Sequence, residues 1–145
     1  MTETILTFRG AVYPWHCDHM GHMNVMWYVG RFDEATWCLF HHLGLTRAYL
    51  RDEGRGMVAV QQNITYKAEL LAGDVIQVSS RLLEVKEKAL RFEHRMAPVC
   101  ADEGGVVAIC ELVGVHIDTT VRKSVPLPES VRTCAEALVA RAVHR

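Results

Sequence analysis

The chain has 145 residues, half of them hydrophobic, with 16 basic and 17 acidic side chains and a formal net charge of −1. That composition excludes a disordered chain, and the charge balance excludes broad attachment to nucleic acid or to a membrane surface. A single domain over 1–145 buries roughly 70% of the surface its unfolded form exposes, enough for a real core. No apolar run approaches the ~18 residues of a membrane span. The opening MTETILTFRG lacks the basic and apolar segments of a signal peptide. Five cysteines (17, 38, 100, 110, 134), none in a CxxC pair, read as reduced thiols of a cytoplasmic protein.

Residues 5–13, ILTFRGAVY, predict a strand that ends at Pro14, which has no amide to give a ladder. From Asn24 the period changes. Val25, Tyr28, Val29, Phe32, Ala35, Thr36, Leu39, Phe40 and Leu43 follow the spacing of an amphipathic helix. Asn24 is its expected N-cap and Gly44 its expected stop. Gly30 inside the helix costs about 1 kcal/mol relative to Ala and is expected to mark a close approach to a sheet. Four further strands follow: MVAVQQNITY (57–66), VIQVSSRLLEV (75–85), ALRFEHRM (89–96) and VVAICELVGVHI (106–117). Gly73-Asp74, Glu87-Lys88 and Gly104-Gly105 punctuate them. A short helix is expected from Pro128 to about residue 143. One helix on one face of an antiparallel sheet is an α+β layer solution. Five strands outnumber what that helix can cover, so a second subunit is expected on the remaining edge and face.

The stretch WHCDHMGHMN (15–24) joins the first strand to the helix and admits three readings. His16, Cys17, His19 and His22 are metal-ligand types, but their spacing is tight and no second cluster lies at zinc-finger distance. A histidine-rich surface turn without chemistry is the second. The third explains more residues. Asp18 precedes a glycine turn into a helix whose first amides lack partners and whose end carries partial positive charge. Those amides can stabilise an oxyanion while the carboxylate acts beside it as base or nucleophile. Gly21 is expected to let backbone approach closely. His22 and Asn24 are expected to fix the turn and orient the carboxylate.

Three segments carry a resemblance. CDHMGHMNVMWY (17–28) matches a D-x-x-G-H-x-N-x-x-x-Y pattern through Asp18, Gly21, His22, Asn24 and Tyr28. ITYKAELLAGDVIQV (64–78) carries a strand ending and a Gly-Asp turn, and HIDTTVRKSVPLPESVR (116–132) an Asp…Arg-Lys…Pro-x-Pro segment. In this order, over nearly the whole chain, they resemble the hot-dog acyl-CoA thioesterases related to 4-hydroxybenzoyl-CoA thioesterase. The departures are His16, where a carboxylate is common, and Val25, where a second Asn is frequent; they bear on substrate class.

The resemblance implies a five-stranded antiparallel sheet wrapped around one long helix, assembled as a dimer or tetramer. It implies hydrolysis of an acyl-CoA to free acid and CoA without metal or cofactor. Asp18 is then the catalytic carboxylate, with His22 and Asn24 beside it, Tyr28 facing substrate, and the Val25 amide polarising the carbonyl. Gln62 or Asn63, on a strand that lies along the family's active-site tunnel, would hold water or substrate; polar residues at a dimer interface are the competing reading. Gln62 is expected on the face of Val58, Val60, Ile64 and Tyr66. Arg122 and Lys123 could meet the CoA phosphates. Glu111 and His94, in apolar strands, read as paired core or interface residues. Two rivals remain: a hot-dog dehydratase or hydratase, and a non-catalytic acyl-CoA or aromatic-ligand binding protein on the same scaffold.

Overall fold

A computed structural model describes residues 4–100 and 105–143. Gly104 of the expected turn lies outside them. Strands β1 (Ile5–Ala11), β2 (Arg55–Tyr66), β3 (Val75–Val85), β4 (Ala89–Pro98) and β5 (Ala108–Asp118) form an antiparallel sheet in the order β1-β3-β4-β5-β2. A two-residue strand, β6 (Lys123–Ser124), pairs with the end of β5 and makes a sixth where five were expected. The sheet curls around helix α1 (Val25–His42). A short helix, α2 (Arg47–Asp52), follows α1, and α3 (Glu129–Val143) closes the chain. This is the expected hot-dog arrangement. Among the described residues no helix is long and apolar enough to cross a membrane.

The apolar stripe of α1 makes the core. Tyr28, Phe32, Ala35, Leu39 and Phe40 are buried against Ile76 and Val78 of β3, Leu90, Phe92 and Met96 of β4 and Leu112 of β5. Burying each large side chain contributes about 1.5–3 kcal/mol. The helix begins and ends as its sequence predicts. Asn24 Oδ1 accepts from the Met26 amide at 2.9 Å, and Gly44, at φ 99°, takes the left-handed conformation after the last turn. Val25 departs from the expected stripe and is 55% exposed.

Gly30 marks no close approach. A Cβ there would come no nearer than 3.9 Å, to the Trp27 ring. The tight position is Gly114 of β5, where a Cβ would lie 3.1 Å from the Phe40 ring. Gly30→Ala should therefore raise stability by about 1 kcal/mol, the helical cost of glycine, read as a higher midpoint in urea. A lower midpoint would mean that something outside this chain packs on the position.

In β2 the pairing register shifts between Ala59 and Gln61, so Val60 is an extra residue. A bulge reverses which side chains face inward. Gln62 consequently shares its face with Met57 and Ala59, with which it lines a cavity, and not with Val58 and Val60 as simple alternation predicts. β2 is an edge strand, and Ala59–Asn63 are exposed on both faces.

Candidate active site

The turn before α1 is built around Asp18. Its amide donates to the His22 carbonyl at 3.2 Å, and its carbonyl accepts from the Gly21 amide at 3.0 Å. Gly21 sits at φ 86° with nothing within 4 Å of an added Cβ, so the turn needs its backbone freedom and not the close approach expected of it. Each carboxylate oxygen has one donor. Oδ1 accepts from the Met20 amide at 2.8 Å and Oδ2 from Asn24 Nδ2 at 2.8 Å. These two bonds, that of Asn24 foremost, hold the carboxyl below the usual carboxylate range; lost water opposes them, and the nearby His22 and His19 add to them. Asp18 is thus ionised at neutral pH. Asn24 does two jobs at once: its Oδ1 caps α1 and its Nδ2 positions the carboxylate.

The helix start offers one free donor. The Met26 amide is capped by Asn24 Oδ1, and the Trp27 amide donates to the Asn24 carbonyl at 2.9 Å. The Val25 amide has no acceptor among the described residues. It opens beside a cavity of about 290 Å³ lined by His22, Val25, Tyr28, Tyr66, Lys67 and Glu69. Tyr28 is buried, donates to the Ala68 carbonyl at 3.1 Å, and meets the Tyr66 ring edge-on with centroids 5.2 Å apart.

His22 does not orient the carboxylate through its ring. Its Nε2 lies 3.5 Å from Glu69 Oε1, and only its carbonyl reaches Asp18. His16 leaves the histidine cluster altogether. It is buried, its Nδ1 accepts from the Tyr13 amide at 2.9 Å, and its ring lies 4.5 Å from that of Trp27. Burial, then the charge of Arg31, lowers its pKa. Among the described residues no three His, Cys, Asp or Glu side chains converge as metal ligands would.

The other expected residues lie apart from Asp18 within one chain. Gln62 faces a second cavity, with Asp33, Trp37 and Phe40 of α1. Asn63 pairs with Glu111 across the β2–β5 ladder. Arg122, at φ 57°, and Lys123 are exposed where β5 turns into β6. Glu111 is paired as expected, with Arg91 at 2.6 Å.

Residues 12–134 match the Thioesterase-like superfamily. The chain belongs to that superfamily. Among curated relatives of this superfamily member, the Agrobacterium fabrum L-carnitine dehydrogenase/betainyl-CoA thioesterase is 32% identical over 124 residues, 86% of this chain and 25% of that protein. The chain thus spans about a quarter of that relative's length. The Pseudomonas aeruginosa betainyl-CoA thioesterase is 25% identical over 138 residues, 95% of this chain and 86% of that protein. Among solved structures, a Staphylococcus aureus hypothetical protein in complex with CoA superposes with a TM-score of 0.87 at 21% identity, covering 95% of this chain and 86% of that one. The last likeness shows the fold.

Two residues of the thioesterase-like site region escape a reading of the sequence. Glu69 lies beside His22. Arg31, only 8% exposed, reaches the Ala11 carbonyl at 3.3 Å and His16 Nδ1 at 3.1 Å, and lies over the Phe8 ring at 5.0 Å. It ties β1 and the loop before Asp18 to α1. Its position, three after Tyr28 and four before Ala35, is the signal that its charge obscures.

Proposed function

We propose that this protein hydrolyses acyl-CoA thioesters to free acid and CoA, with Asp18 as base or nucleophile. The observation that carries the reading is the pairing of an ionised, two-point-held carboxylate with the unpartnered Val25 amide. In the base route Asp18 takes a proton from water as the water oxygen attacks the carbonyl carbon. The Val25 amide donates to the oxyanion. Collapse expels the CoA thiolate, which recovers the proton from Asp18. In the nucleophilic route an Asp18 oxygen attacks, the thiolate leaves, and water opens the resulting anhydride. A single turnover in ¹⁸O-water separates them: label in Asp18 with none in the first product marks the anhydride opened at the Asp18 carboxyl. Asn24 positions the carboxylate, His22 and Tyr28 line the acyl cavity, and neither metal nor organic cofactor takes part. The betainyl-CoA thioesterases among the curated relatives support the CoA thioester class. The test is CoA release, followed with a thiol reagent, over a panel that includes betainyl-CoA and aromatic, short and long aliphatic acyl-CoAs. No release from any member would leave the binding-protein reading in its place.

Assembly belongs to the same reading. We place a single hot-dog domain of the cytoplasm in a dimer or tetramer, because an edge strand exposed on both faces lies beside exposed Val25, Met26 and Tyr66. Such an edge is a template for pairing unless it is covered. A partner would bring a second copy of Gln62 and Asn63 toward the site. Light scattering should give at least twice the mass of one chain at micromolar concentration; the mass of one chain would end the shared-site reading.

Arg122 and Lys123 are exposed cations, and in this reading they meet the CoA phosphates. Changing both to Ala should raise KM for acyl-CoA and leave kcat nearly intact, the pattern of lost uniform binding. An unchanged KM would return them to plain surface charge.

A further inference from the structure

Two features of the chain lie outside the chemistry above. One is an open cleft of about 730 Å³ between the last turns of α1, α2 and the start of β2. The other is a buried pair, His16 and Arg31, and only this one is bonded to the turn that carries Asp18.

The surroundings of His16 require an uncharged ring. The residue is 6% exposed. Its Nδ1 faces the Tyr13 amide at 2.9 Å and Arg31 Nη2 at 3.1 Å. A backbone N–H and a guanidinium can only donate, so Nδ1 is the lone-pair nitrogen of a neutral imidazole. The Trp27, Trp15 and Tyr13 rings lie with centroids 4.5, 5.6 and 5.9 Å from it. Arg31 is the charged group in contact with the ring. Glu34 reaches only Arg31, at 3.9 Å, and β1 offers only the Ala11 carbonyl and the Phe8 ring, both to Arg31. No carboxylate among the described residues lies within ion-pair distance of His16. A proton on the ring would set two cations side by side without a counter-charge. It would also turn the acceptor for the Tyr13 amide into a donor. Arg31 would lose an acceptor too: its Nε is already buried without a partner, and Nη2 would keep only the Ala11 carbonyl.

The ring is linked to Asp18 through a short chain of hydrogen bonds. The Tyr13–His16 bond holds the 3₁₀ turn Pro14–His16. The His16 carbonyl accepts from the Asn24 amide at 2.9 Å, which closes the base of the 17–23 turn. Asn24 Nδ2 in turn donates to Asp18 Oδ2 at 2.8 Å. We propose that His16 is a positioning residue for Asp18: its uncharged ring latches the base of the turn to Arg31, and a proton on that ring opens the latch and stops catalysis before Asp18 itself is protonated. For its effect on turnover the inference rests on the acyl-CoA reading above.

The test follows kcat for acyl-CoA from about pH 4.5 to 8, beside a ¹H–¹⁵N titration of the His16 ring and the Asn24 side-chain amide in the wild-type chain. The acid limb of kcat, the ring and the Asn24 signal should share one midpoint. His16→Asp gives the Tyr13 amide and Arg31 a carboxylate acceptor that keeps its charge in more acid solution. Its kcat near pH 7.5 should stay within about threefold of wild type, with the acid limb at least about one pH unit lower. His16→Phe keeps a ring and removes the acceptor. Its kcat should fall at least about tenfold, the effect of a buried amide left without a partner, with KM within about twofold. A role in folding alone would lower the urea midpoint of the variants and leave the acid limb in place. An unmoved limb in His16→Asp, a His16 midpoint away from the limb, or an Asn24 signal indifferent to the ring's titration would each overturn the latch. The wild-type titration decides it even where a variant does not fold. If no thioester is hydrolysed, the acyl-CoA reading falls and the Asn24 signal still decides the latch.

Discussion

Asp18→Asn should lower kcat by at least about 10²-fold, the low end for general-base catalysis, with circular dichroism and ligand affinity largely kept. The substitution is nearly isosteric and removes the charge. It also separates a catalytic carboxylate from one that only holds a turn. At a plain cap, Asn and Asp serve about equally, so a structural Asp18 would tolerate the change. The contacts refine this expectation. The amide oxygen introduced by the substitution can still accept from the Met20 amide. The amide nitrogen introduced with it would then face Asn24 Nδ2, donor against donor, because Asn24 Oδ1 is held by the Met26 amide. The variant thus loses one hydrogen bond, about 1 kcal/mol, and local stability is measured beside activity. Asn24→Asp provides the complementary case. It keeps an acceptor for the Met26 amide and replaces the donor to Asp18 with a negative charge. Activity should fall, with the acid limb of the pH profile moved up. Asp18→Glu should be poor as well, since displacing the carboxylate by roughly 1 Å is costly. Near wild-type turnover in Asp18→Asn would remove this turn from the chemistry.

How much of this was legible in the sequence follows from what each feature depends on. The period from Tyr28 to Phe40 and the caps at Asn24 and Gly44 are local, and α1 forms where they put it. The alternation in β4, with Leu90, Phe92, His94 and Met96 inward and Arg91, Glu93 and Arg95 outward, is equally local and equally readable. The β2 bulge is not, because one extra residue at Val60 leaves no mark in composition and yet moves Gln62 to another face. Helix α2 is too short, at six residues, to show a period, so the Arg47–Asp52 segment and the cleft it borders were invisible. At the site, a D-x-x-G-H-x-N pattern could suggest that Asn24 serves Asp18, but only three-dimensional placement separates Asn24, which touches the carboxylate, from His22, which turns to Glu69.

Stability should fall as pH drops from 6.5 to 4, by roughly 3 kcal/mol from His94 alone. His94 is fully buried between β3 and α1. Its Nδ1 lies 2.6 Å from Ser80 Oγ, and its Nε2 lies 2.8 Å from Thr36 Oγ1. Thr36 gives its own proton to the Phe32 carbonyl, which assigns the neutral ring as an Nε2–H donor to Thr36 and an Nδ1 acceptor from Ser80. Protonation need not break this chain. The Ser80 hydroxyl can turn to Thr7 Oγ1 at 2.7 Å, and Thr7 can turn to the Val78 carbonyl at 3.2 Å. What opposes the charge is burial, which lowers the pKa to about 4, with Glu93 pulling slightly the other way. The unfolded chain, with an ordinary imidazole, takes up the proton first. The contribution is therefore whole above pH 6.5 and is lost as pH falls through the interval to 4. His16 and His116, both lowered chiefly by burial, act in the same direction. The depressed carboxylates Asp18, Glu93 and Asp118 add to the loss only below about pH 5, so between pH 7 and 5 the loss belongs chiefly to histidines. Urea midpoints at pH 7 and 5 should differ in the wild type by about 2 kcal/mol from this residue. His94→Gln, which is less stable at pH 7, should show a smaller difference. A native-state ¹H–¹⁵N titration placing His94 near 6.5 would refute the account, because a ring that protonates that easily in the folded chain is not held neutral by its burial.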